Sequence, residues 1–272
     1  MAILITGGKG FIGSNLKSFL ISKGEKVLLL EGDISNKRTI DLFNPKEKID
    51  VVVHLAAVIN KKERGKFENI NIQGTKSVLD LCCKLKIKKI IFLSSIRTLS
   101  RFNDPYIDSK RKAEELIISS GITYIILRSS MVYGPGDKKN IGLITRAAKT
   151  APFMPMFDFQ MQPIFIDDMI KIISSCLGLQ TNSVLNIVGP EIIKFKDLLQ
   201  VLRLFGYRFY IINLPSFFSF VIKIFSFLPF SPIRYWQIKS LFSDELFKGD
   251  DWQKLFKISP THFSDGLAKT IK

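Results

Sequence analysis

The chain has 272 residues, of which 46% are hydrophobic, so it can form a sizeable core and is too apolar for an intrinsically disordered protein. Its 40 lysine and arginine residues outnumber its 24 acidic residues and give a formal net charge of +16. The basic residues are spread over many segments and do not gather beside aromatic residues. We therefore expect no nucleic-acid partner and favour a surface that attracts a phosphate-bearing substrate.

The chain starts with a predicted strand, a glycine-rich turn and a helix. Residues 2–5 are small or apolar, four glycines follow, and apolar residues then recur at helical spacing. Glycine permits a sharp turn and close approach of the backbone to a pyrophosphate, and the helix N-terminus favours negative charge. This order predicts a dinucleotide site. Its candidate residues are Gly7, Gly10, Phe11, Ile12 and Gly13.

A second apolar strand, residues 27–30, ends at Glu31. A carboxylate at this position can accept hydrogen bonds from both ribose hydroxyls of an adenosine and would repel a 2′-phosphate. We therefore expect NAD as the cofactor rather than NADP. The alternative is an ordinary surface carboxylate at the end of a strand.

Further apolar strands over residues 50–55, 89–93 and 122–127 alternate with helices. This alternation predicts an α/β fold with a doubly wound parallel sheet. Ligands bind beyond the carboxyl ends of such strands, where Ser95 follows the strand 89–93. His54 lies alone in an apolar strand, and we expect it to be a hydrogen-bonded core residue.

Tyr106 begins a predicted helix after Pro105, and Lys110 follows four residues later. Residues at this spacing share one helical face. An ammonium near a phenol lowers the phenol pKa, so Tyr106 is predicted to exchange a proton with a substrate hydroxyl, with Ser95 hydrogen-bonding the same oxygen. The alternative is a surface tyrosine and lysine on an amphipathic helix.

The alternating pattern changes after residue 137. We predict a short strand over 163–166, a helix from 167 to 177 capped by Asp167 and Asp168, and a strand over 184–188. A helix over 195–204, a strand over 208–213 and mainly short helices complete the chain. Two domains are expected: a cofactor domain of residues 1–135 and 162–190, and a small, mainly helical C-terminal substrate lobe of residues 136–161 and 191–272.

Residues 214–233 contain six phenylalanines and one charged residue, Lys223. Three prolines interrupt the tract, which is too short between them to span a bilayer. Two interpretations stay open: a buried helix of the smaller lobe, or an interfacial helix that contacts a membrane through Phe217–Phe230. The three cysteines lack metal-binding spacing, and no metal site is predicted. With no signal peptide expected before the first strand, we predict a cytoplasmic protein.

Taken in order, these motifs resemble the short-chain dehydrogenase/reductase superfamily, in its NAD-dependent epimerase/dehydratase branch. The resemblance implies a Rossmann fold, with catalytic roles for Ser95 and the YxxxK pair of Tyr106 and Lys110. It also implies hydride transfer on a nucleotide-activated, or lipid-linked, sugar and pairing into a homodimer. The motifs that carry it are 6–13, 54–57, 71–75, 106–110, 127–135 and 163–168. Further cofactor contacts implied by the resemblance are Asp33, Ile34, Leu55, Ala56, Ala57, Asn71 and Arg128, with Asn71 also steadying Lys110.

Two features depart from the family pattern. Ser95 and Tyr106 are joined by a short connection, and the segment after Glu31 is reduced, so a third strand of the family sheet is in doubt. Compact members of the superfamily share these features, and some of them only bind a nucleotide. Two alternative functions follow: a non-catalytic nucleotide-binding subunit of a larger membrane-associated complex, and an NAD(P)-linked reductase of a non-sugar substrate such as a lipid.

Overall fold

The computed structural model describes residues 1–59, 65–213 and 245–271, and the chain divides into two compact units. The first unit comprises Met1–Ser130, Ile166–Ile187 and Gly249–Ser259. The second comprises Met131–Phe165, Val188–Lys248 and Pro260–Lys272. Their assignment to cofactor and substrate stays a prediction, and the Phe217–Phe230 tract lies outside the described residues.

Six described strands of the first unit form one sheet, in which every pairing is parallel. In spatial order they run β10-β5-β4-β3-β1-β2, so β2 is an edge strand. This arrangement confirms the predicted doubly wound α/β fold. The strands are β1 (Ala2–Thr6), β2 (Lys26–Leu30), β3 (Val51–His54), β4 (Lys89–Ser95), β5 (Thr123–Ser129) and β10 (Ser183–Ile187).

Helices cover the sheet of the first unit. In one group α3 contacts α2 and α4, and in another α1 contacts α6. A π-helical segment, Phe67–Gln73, directly precedes α3. The helices are α1 (Phe11–Ser22), α2 (Lys37–Leu42), α3 (Gly74–Lys84), α4 (Pro105–Ile118), α6 (Ile166–Cys176) and α8 (Trp252–Phe256), with a 3-10 segment at Ile96–Leu99.

Burial explains why these stretches become strands. All five residues of β1 and all four of β3 are buried, as expected for central parallel strands covered by helices on both faces. Their runs of branched apolar side chains fit this environment. Asp167 and Asp168 were predicted to cap a helix, but α6 already begins at Ile166, so both lie within its first turn.

The second unit contains short strand pairs and helices. β6 (Val132–Tyr133) pairs with β9 (Ile164–Phe165), β7 (Phe153–Met156) with β12 (Tyr210–Asn213), and β8 (Gln160–Met161) with β11 (Ile193–Lys194). Its described helices are α5 (Ile141–Thr150), α7 (Phe195–Leu204) and α9 (Phe263–Ile271). Over residues 1–59, 65–213 and 245–271, no helix has the length and apolar character needed to cross a bilayer.

A buried lysine closes the end of α6. Lys89, only 4% exposed, donates to the carbonyl oxygens of Cys176 and Leu177 at 2.8 and 2.7 Å, and also to that of Leu179. The last carbonyls of a helix have no partner within it and carry the negative end of its dipole. The ammonium therefore satisfies groups that would otherwise be buried without partners, and it joins β4 to α6.

We expect Lys89→Met to lower the free energy of unfolding by about 2 kcal/mol, because several carbonyls lose their donor while the side-chain volume is kept. Chemical denaturation measures the change. The exposed neighbour Lys88 is the control, and Lys88→Met should stay within about 0.5 kcal/mol of the parent protein. Equal effects of the two substitutions would contradict this role of Lys89.

Candidate functional site

The glycine turn after β1 is packed so closely that only main chain fits. Gly7 has a φ of +70°, and a Cβ there would lie 2.7 Å from the amide nitrogen of Ala56. A Cβ on Gly13 would lie 2.3 Å from the carbonyl oxygen of Gly7. Gly10 precedes α1 and offers no capping side chain to its first N–H groups. This main-chain cradle at a helix N-terminus suits the pyrophosphate of a dinucleotide.

His54, at the end of β3, is fully buried in a network of hydroxyl groups. Its Nδ1 lies 2.6 Å from Thr6 Oγ1, and its Nε2 lies 3.0 Å from Thr75 Oγ1. The Thr75 hydroxyl donates to the carbonyl oxygen of Asn71, so it must accept from Nε2–H. Burial and the charge of Lys110 lower the pKa of His54 to about 3. The prediction of a neutral, hydrogen-bonded core histidine is confirmed.

The Asn71 amide connects the segment after β3 to α4. Its Oδ1 accepts from Val58 N at 2.8 Å, and its Nδ2 donates to Val58 O and to Ser109 Oγ. Both amide hydrogens are thus committed to partners other than Lys110. Asn71 fixes the backbone near the predicted cofactor site. Asn71 could therefore accept a hydrogen bond from Lys110 only through Oδ1, which can accept a second one, or through its main-chain carbonyl.

Tyr106 and Ser95 come together at the carboxyl end of β4. Asp104 caps α4 and accepts from the amides of Tyr106 and Ile107 at 2.8 and 2.9 Å, which fixes the first turn of the helix. The Tyr106 ring packs edge-on against Phe67, and its phenol has Ser95 as hydrogen-bonding neighbour. Tyr106 is 8% exposed and Lys110 is 2% exposed. The alternative of a surface tyrosine and lysine is therefore wrong.

Burial shifts the pKa values of both Tyr106 and Lys110. Burial raises the pKa of Tyr106, while Ser95 and the positive charge of Arg97 act to lower it. Lys110 is turned to the carbonyl oxygen of Leu93, at 2.7 Å, and its Nζ lies 3.9 Å from the centre of the Phe92 ring. Burial lowers the Lys110 pKa to about 7, against the charge of Glu114. Burial thus has the largest effect on the phenol pKa, and the predicted lowering of that pKa by Lys110 stays a prediction.

Arg128, predicted to contact the cofactor, is bound by a buried carboxylate. Its Nε lies 3.1 and 3.2 Å from the two oxygens of Glu114, and its Nη2 lies 2.7 Å from Oε2. Ser94 Oγ also donates to Glu114. Two-point pairing of this kind holds the guanidinium in one orientation. Sequence reasoning missed Glu114, although its position four residues after Lys110 places both side chains on one face of α4.

The predicted adenosine contacts follow β2. Glu31 is 59% exposed in its side chain, lies 3.2 Å from Lys9 Nζ, and lines a cleft together with Asn36 and Arg38. Asp33 accepts from the amide and hydroxyl of Ser35. The other predicted cofactor contacts differ in how far they are buried. Ile34 is buried against Gly74, and Leu55, Ala56 and Ala57 are half-buried after β3, with Ala56 N donating to Thr6 Oγ1.

The family model described as NAD dependent epimerase/dehydratase family matches residues 3–187. The chain belongs to the NAD-dependent epimerase/dehydratase family. This confirms the resemblance drawn from the motifs and agrees with the predicted cofactor. The matched residues include all the candidate site residues described above.

Two curated relatives illustrate this epimerase/dehydratase membership. The chain is 31% identical over 191 residues to a dTDP-D-glucose 4,6-dehydratase of Dictyostelium discoideum, covering 49% of this chain and 44% of the relative. It is 26% identical over 219 residues to a UDP-glucose 4-epimerase of Vibrio cholerae, covering 65% and 66%. The chain thus spans about half to two thirds of the length of these relatives.

A solved structure shows the same fold. The UDP-glucose 4-epimerase of Thermotoga maritima, with UDP-glucose, aligns with a TM-score of 0.81 at 21% identity. The alignment covers 100% of this chain and 97% of that one. The two chains therefore share a fold. In the part of the chain that the structure describes, no group of three or more His, Cys, Asp or Glu residues is arranged to hold a metal ion.

We expect Gly13→Ala to abolish the rise in melting temperature that NAD produces and to destabilise the protein by about 1–3 kcal/mol, since the new Cβ meets main chain that cannot yield. Thermal unfolding with and without NAD measures both effects. Gly178→Ala is the matched control, because a Cβ there meets nothing within 4 Å. A full response to NAD in Gly13→Ala would show that the dinucleotide binds elsewhere.

Proposed function

We propose that the protein is an NAD-dependent oxidoreductase of the epimerase/dehydratase type that acts on a nucleotide-activated sugar. The observation that carries the proposal is that Ser95 and Tyr106 are both buried, Ser95 at the carboxyl end of β4 and Tyr106 in the first turn of α4. The glycine cradle follows the carboxyl end of β1 in the same parallel sheet. Both features therefore lie at the sheet edge where ligands of such folds bind.

In this proposal the residues of the cradle hold the cofactor by its pyrophosphate. Gly7, Gly10 and Gly13 allow the approach, and the amides at Phe11 and Ile12 begin the helix that faces the charge. Glu31 accepts from the adenosine ribose, and the small residues Ala56 and Ala57 leave room beside β3. Asp33, Ile34, Leu55 and Asn71 shape the neighbouring wall, and Arg128 is held in place there by Glu114. Bound NAD supplies the acceptor and donor of hydride.

The proton chemistry falls to Tyr106 and Ser95. As a phenolate, Tyr106 takes the proton of a substrate hydroxyl; as a phenol, it returns a proton to a carbonyl oxygen. The Ser95 hydroxyl donates to the same oxygen and stabilises the charge that develops on it. Lys110 donates to Leu93 O, which holds its side chain against β4. Epimerisation needs both directions of proton transfer, whereas dehydration adds an elimination step.

Two kinds of support point to a sugar nucleotide as substrate. The relatives and the solved neighbour include enzymes named for dTDP-glucose and UDP-glucose, and the neighbour binds UDP-glucose. The net charge of +16 favours association with a doubly charged diphosphate. A purely nucleotide-binding subunit would have no need of Ser95, Tyr106 and Lys110 buried together, so we favour the enzyme.

We further propose peripheral contact with a membrane and a homodimer. The first rests on the sequence of residues 214–233, where six phenylalanines accompany one charged residue, in a chain with an excess of basic residues. Such composition favours an interfacial segment on anionic lipid. The second rests on analogy with the family, whose members often pair through helices. Both fit a cytoplasmic enzyme that handles lipid-linked sugars.

We expect Tyr106→Phe to lower kcat by about 10²–10⁴-fold with UDP-glucose or dTDP-glucose as the test substrate, because the ring remains and only the proton-transferring oxygen is lost. Turnover is followed by chromatography of the sugar nucleotides. The response of the melting temperature to NAD should be unchanged. Tyr124→Phe, at the opposite end of β5 from the site, is the control. Full activity of Tyr106→Phe on a verified substrate would rule out the proposed proton donor and acceptor.

We expect Glu31→Ala to shift the ratio of the NADP and NAD dissociation constants by about tenfold or more toward NADP, equal to about 1.4 kcal/mol. The substitution removes the acceptor of the ribose hydroxyls and leaves Lys9 and Arg38 to attract a 2′-phosphate. Titration calorimetry with both cofactors gives the ratio. Glu47→Ala, which removes an exposed carboxylate paired with Lys26, serves as the comparison and should not alter it. An unchanged ratio in Glu31→Ala would refute the ribose assignment.

A further inference from the structure

One face of the β7–β12 strand pair is apolar and exposed. Phe153 of β7 lies beside Tyr210 of β12, and Pro155 lies beside Ile212. Because side chains alternate between the two faces of a strand, these residues share one face. Phe153 is 54% exposed, Tyr210 72% and Ile212 42%. The centres of the Phe153 and Tyr210 rings are 5.9 Å apart, so the two rings form one aromatic surface.

The opposite face of this strand pair packs inward. Met154, between Phe153 and Pro155, is only 5% exposed, and its neighbour Ile211 on β12 is half-buried. An antiparallel or mixed strand pair at a protein surface commonly has one apolar face on the core and one polar face in water. Here the face turned to solvent is apolar as well, which indicates that it binds an apolar partner.

The sequence on both sides of β12 carries only positive charge. Residues 198–243 include five basic residues and no acidic one. Two of the five, Arg203 and Arg208, are exposed and precede β12. Arg203 Nη2 donates to the carbonyl oxygen of Phe209 at 2.9 Å, which places this guanidinium at the start of the strand. The other three basic residues are Lys223, Arg234 and Lys239.

We propose that the apolar face of β7 and β12 docks on a bilayer of anionic phospholipid. Such a bilayer presents hydrocarbon below a layer of negative headgroups, which complements an apolar face beside positive charge. Phe153 and Ile212 supply apolar area, whereas Tyr210 places its ring in the apolar layer and its hydroxyl among the headgroups. The inference rests on the membrane contact proposed above and names a surface of the described residues that makes it.

Charge favours lipid over two other occupants of this face. A second copy of the chain, docked through the same face, would bring Arg203 and Arg208 toward their equivalents and add repulsion. Residues 214–233 of the chain itself would add Lys223 and no carboxylate. Anionic headgroups neutralise all of these charges, and they do so while the apolar face leaves water.

The experiment measures co-sedimentation of the complete chain with vesicles of phosphatidylcholine, alone or mixed with phosphatidylglycerol. The parent protein should prefer the anionic vesicles, and its binding should weaken as salt is added. We expect Phe153→Ser and Tyr210→Ser each to lower the partition coefficient about tenfold, and Arg208→Gln to lower it about fivefold.

Two further variants serve as controls for this measurement. Leu255→Ser removes a side chain of the first unit that is 54% exposed, as Phe153 is, and should leave the binding unchanged. Phe153→Trp keeps an aromatic ring in the face and should bind as the parent protein does. Because Phe153 and Tyr210 are exposed, their replacement should leave the melting temperature unchanged.

Several outcomes would overturn the inference. Absence of binding by the parent protein would overturn it together with the proposed membrane contact. Equal binding by Phe153→Ser, Tyr210→Ser and Leu255→Ser would overturn it alone and leave the contact to other residues. With vesicle binding unchanged, a dimer that dissociates in Phe153→Ser would assign the face to a second copy, and a lower melting temperature in Tyr210→Ser would assign it to residues 214–233.

Vesicle binding requires neither NAD nor a sugar nucleotide, so it is independent of the proposed catalysis. If the variants bind as expected while no sugar nucleotide is turned over, the proposed enzymatic function fails and the docking surface stands. If turnover is found while Phe153→Ser and Tyr210→Ser bind as Leu255→Ser does, the enzymatic function stands and the docking surface fails.

Discussion

A buried series of hydrogen bonds centred on His54 links β1, β3, α3 and α4, the elements that carry the candidate site. Its direction is fixed: the Thr6 hydroxyl donates to Nδ1, and Nε2–H donates to Thr75, whose own hydroxyl donates onward. Thr6, His54 and Thr75 each accept one hydrogen bond and donate one, so reversing one link would leave a buried group without a partner. The hydrogen bonds run from the end of β1 to α4 through Thr6, His54, Thr75, Asn71, Ser109 and the carbonyl of Tyr106.

These hydrogen bonds explain why a histidine occupies an otherwise apolar strand. A neutral imidazole has one donor and one acceptor on opposite sides of a rigid ring, which suits a bridge between two hydroxyl groups. Protonation would replace the acceptor with a second donor facing Thr6, in a fully buried site with the charge of Lys110 nearby. Burial and the charge of Lys110 lower the pKa of His54, which keeps the imidazole in the neutral form that this bridge requires.

Local patterns allowed much of the fold and part of the site to be predicted. The strands, the glycine turn and the spacing of Tyr106 and Lys110 are all encoded within short windows of sequence. Two interactions were not predicted: the Glu114–Arg128 ion pair and the hydrogen bonds from Lys89 to the end of α6. Both depend on residues that are distant in sequence and are brought together by the sheet. The direction of the Lys110 side chain was missed for a similar reason, since the competing acceptor, Leu93 O, is a main-chain atom of another element.

The short connection between Ser95 and Tyr106 departs from the family pattern, yet it leaves the site intact. A connection of this length has few conformations that join the end of β4 to the start of α4. Two arginines restrict these conformations further. Arg97 reaches forward to the cap of α4, while Arg111 reaches back from α4 to main-chain carbonyls. Each arginine crosses the connection from a different end, so the ends are fixed independently. The position of the first turn of α4 is therefore held by these two charged side chains.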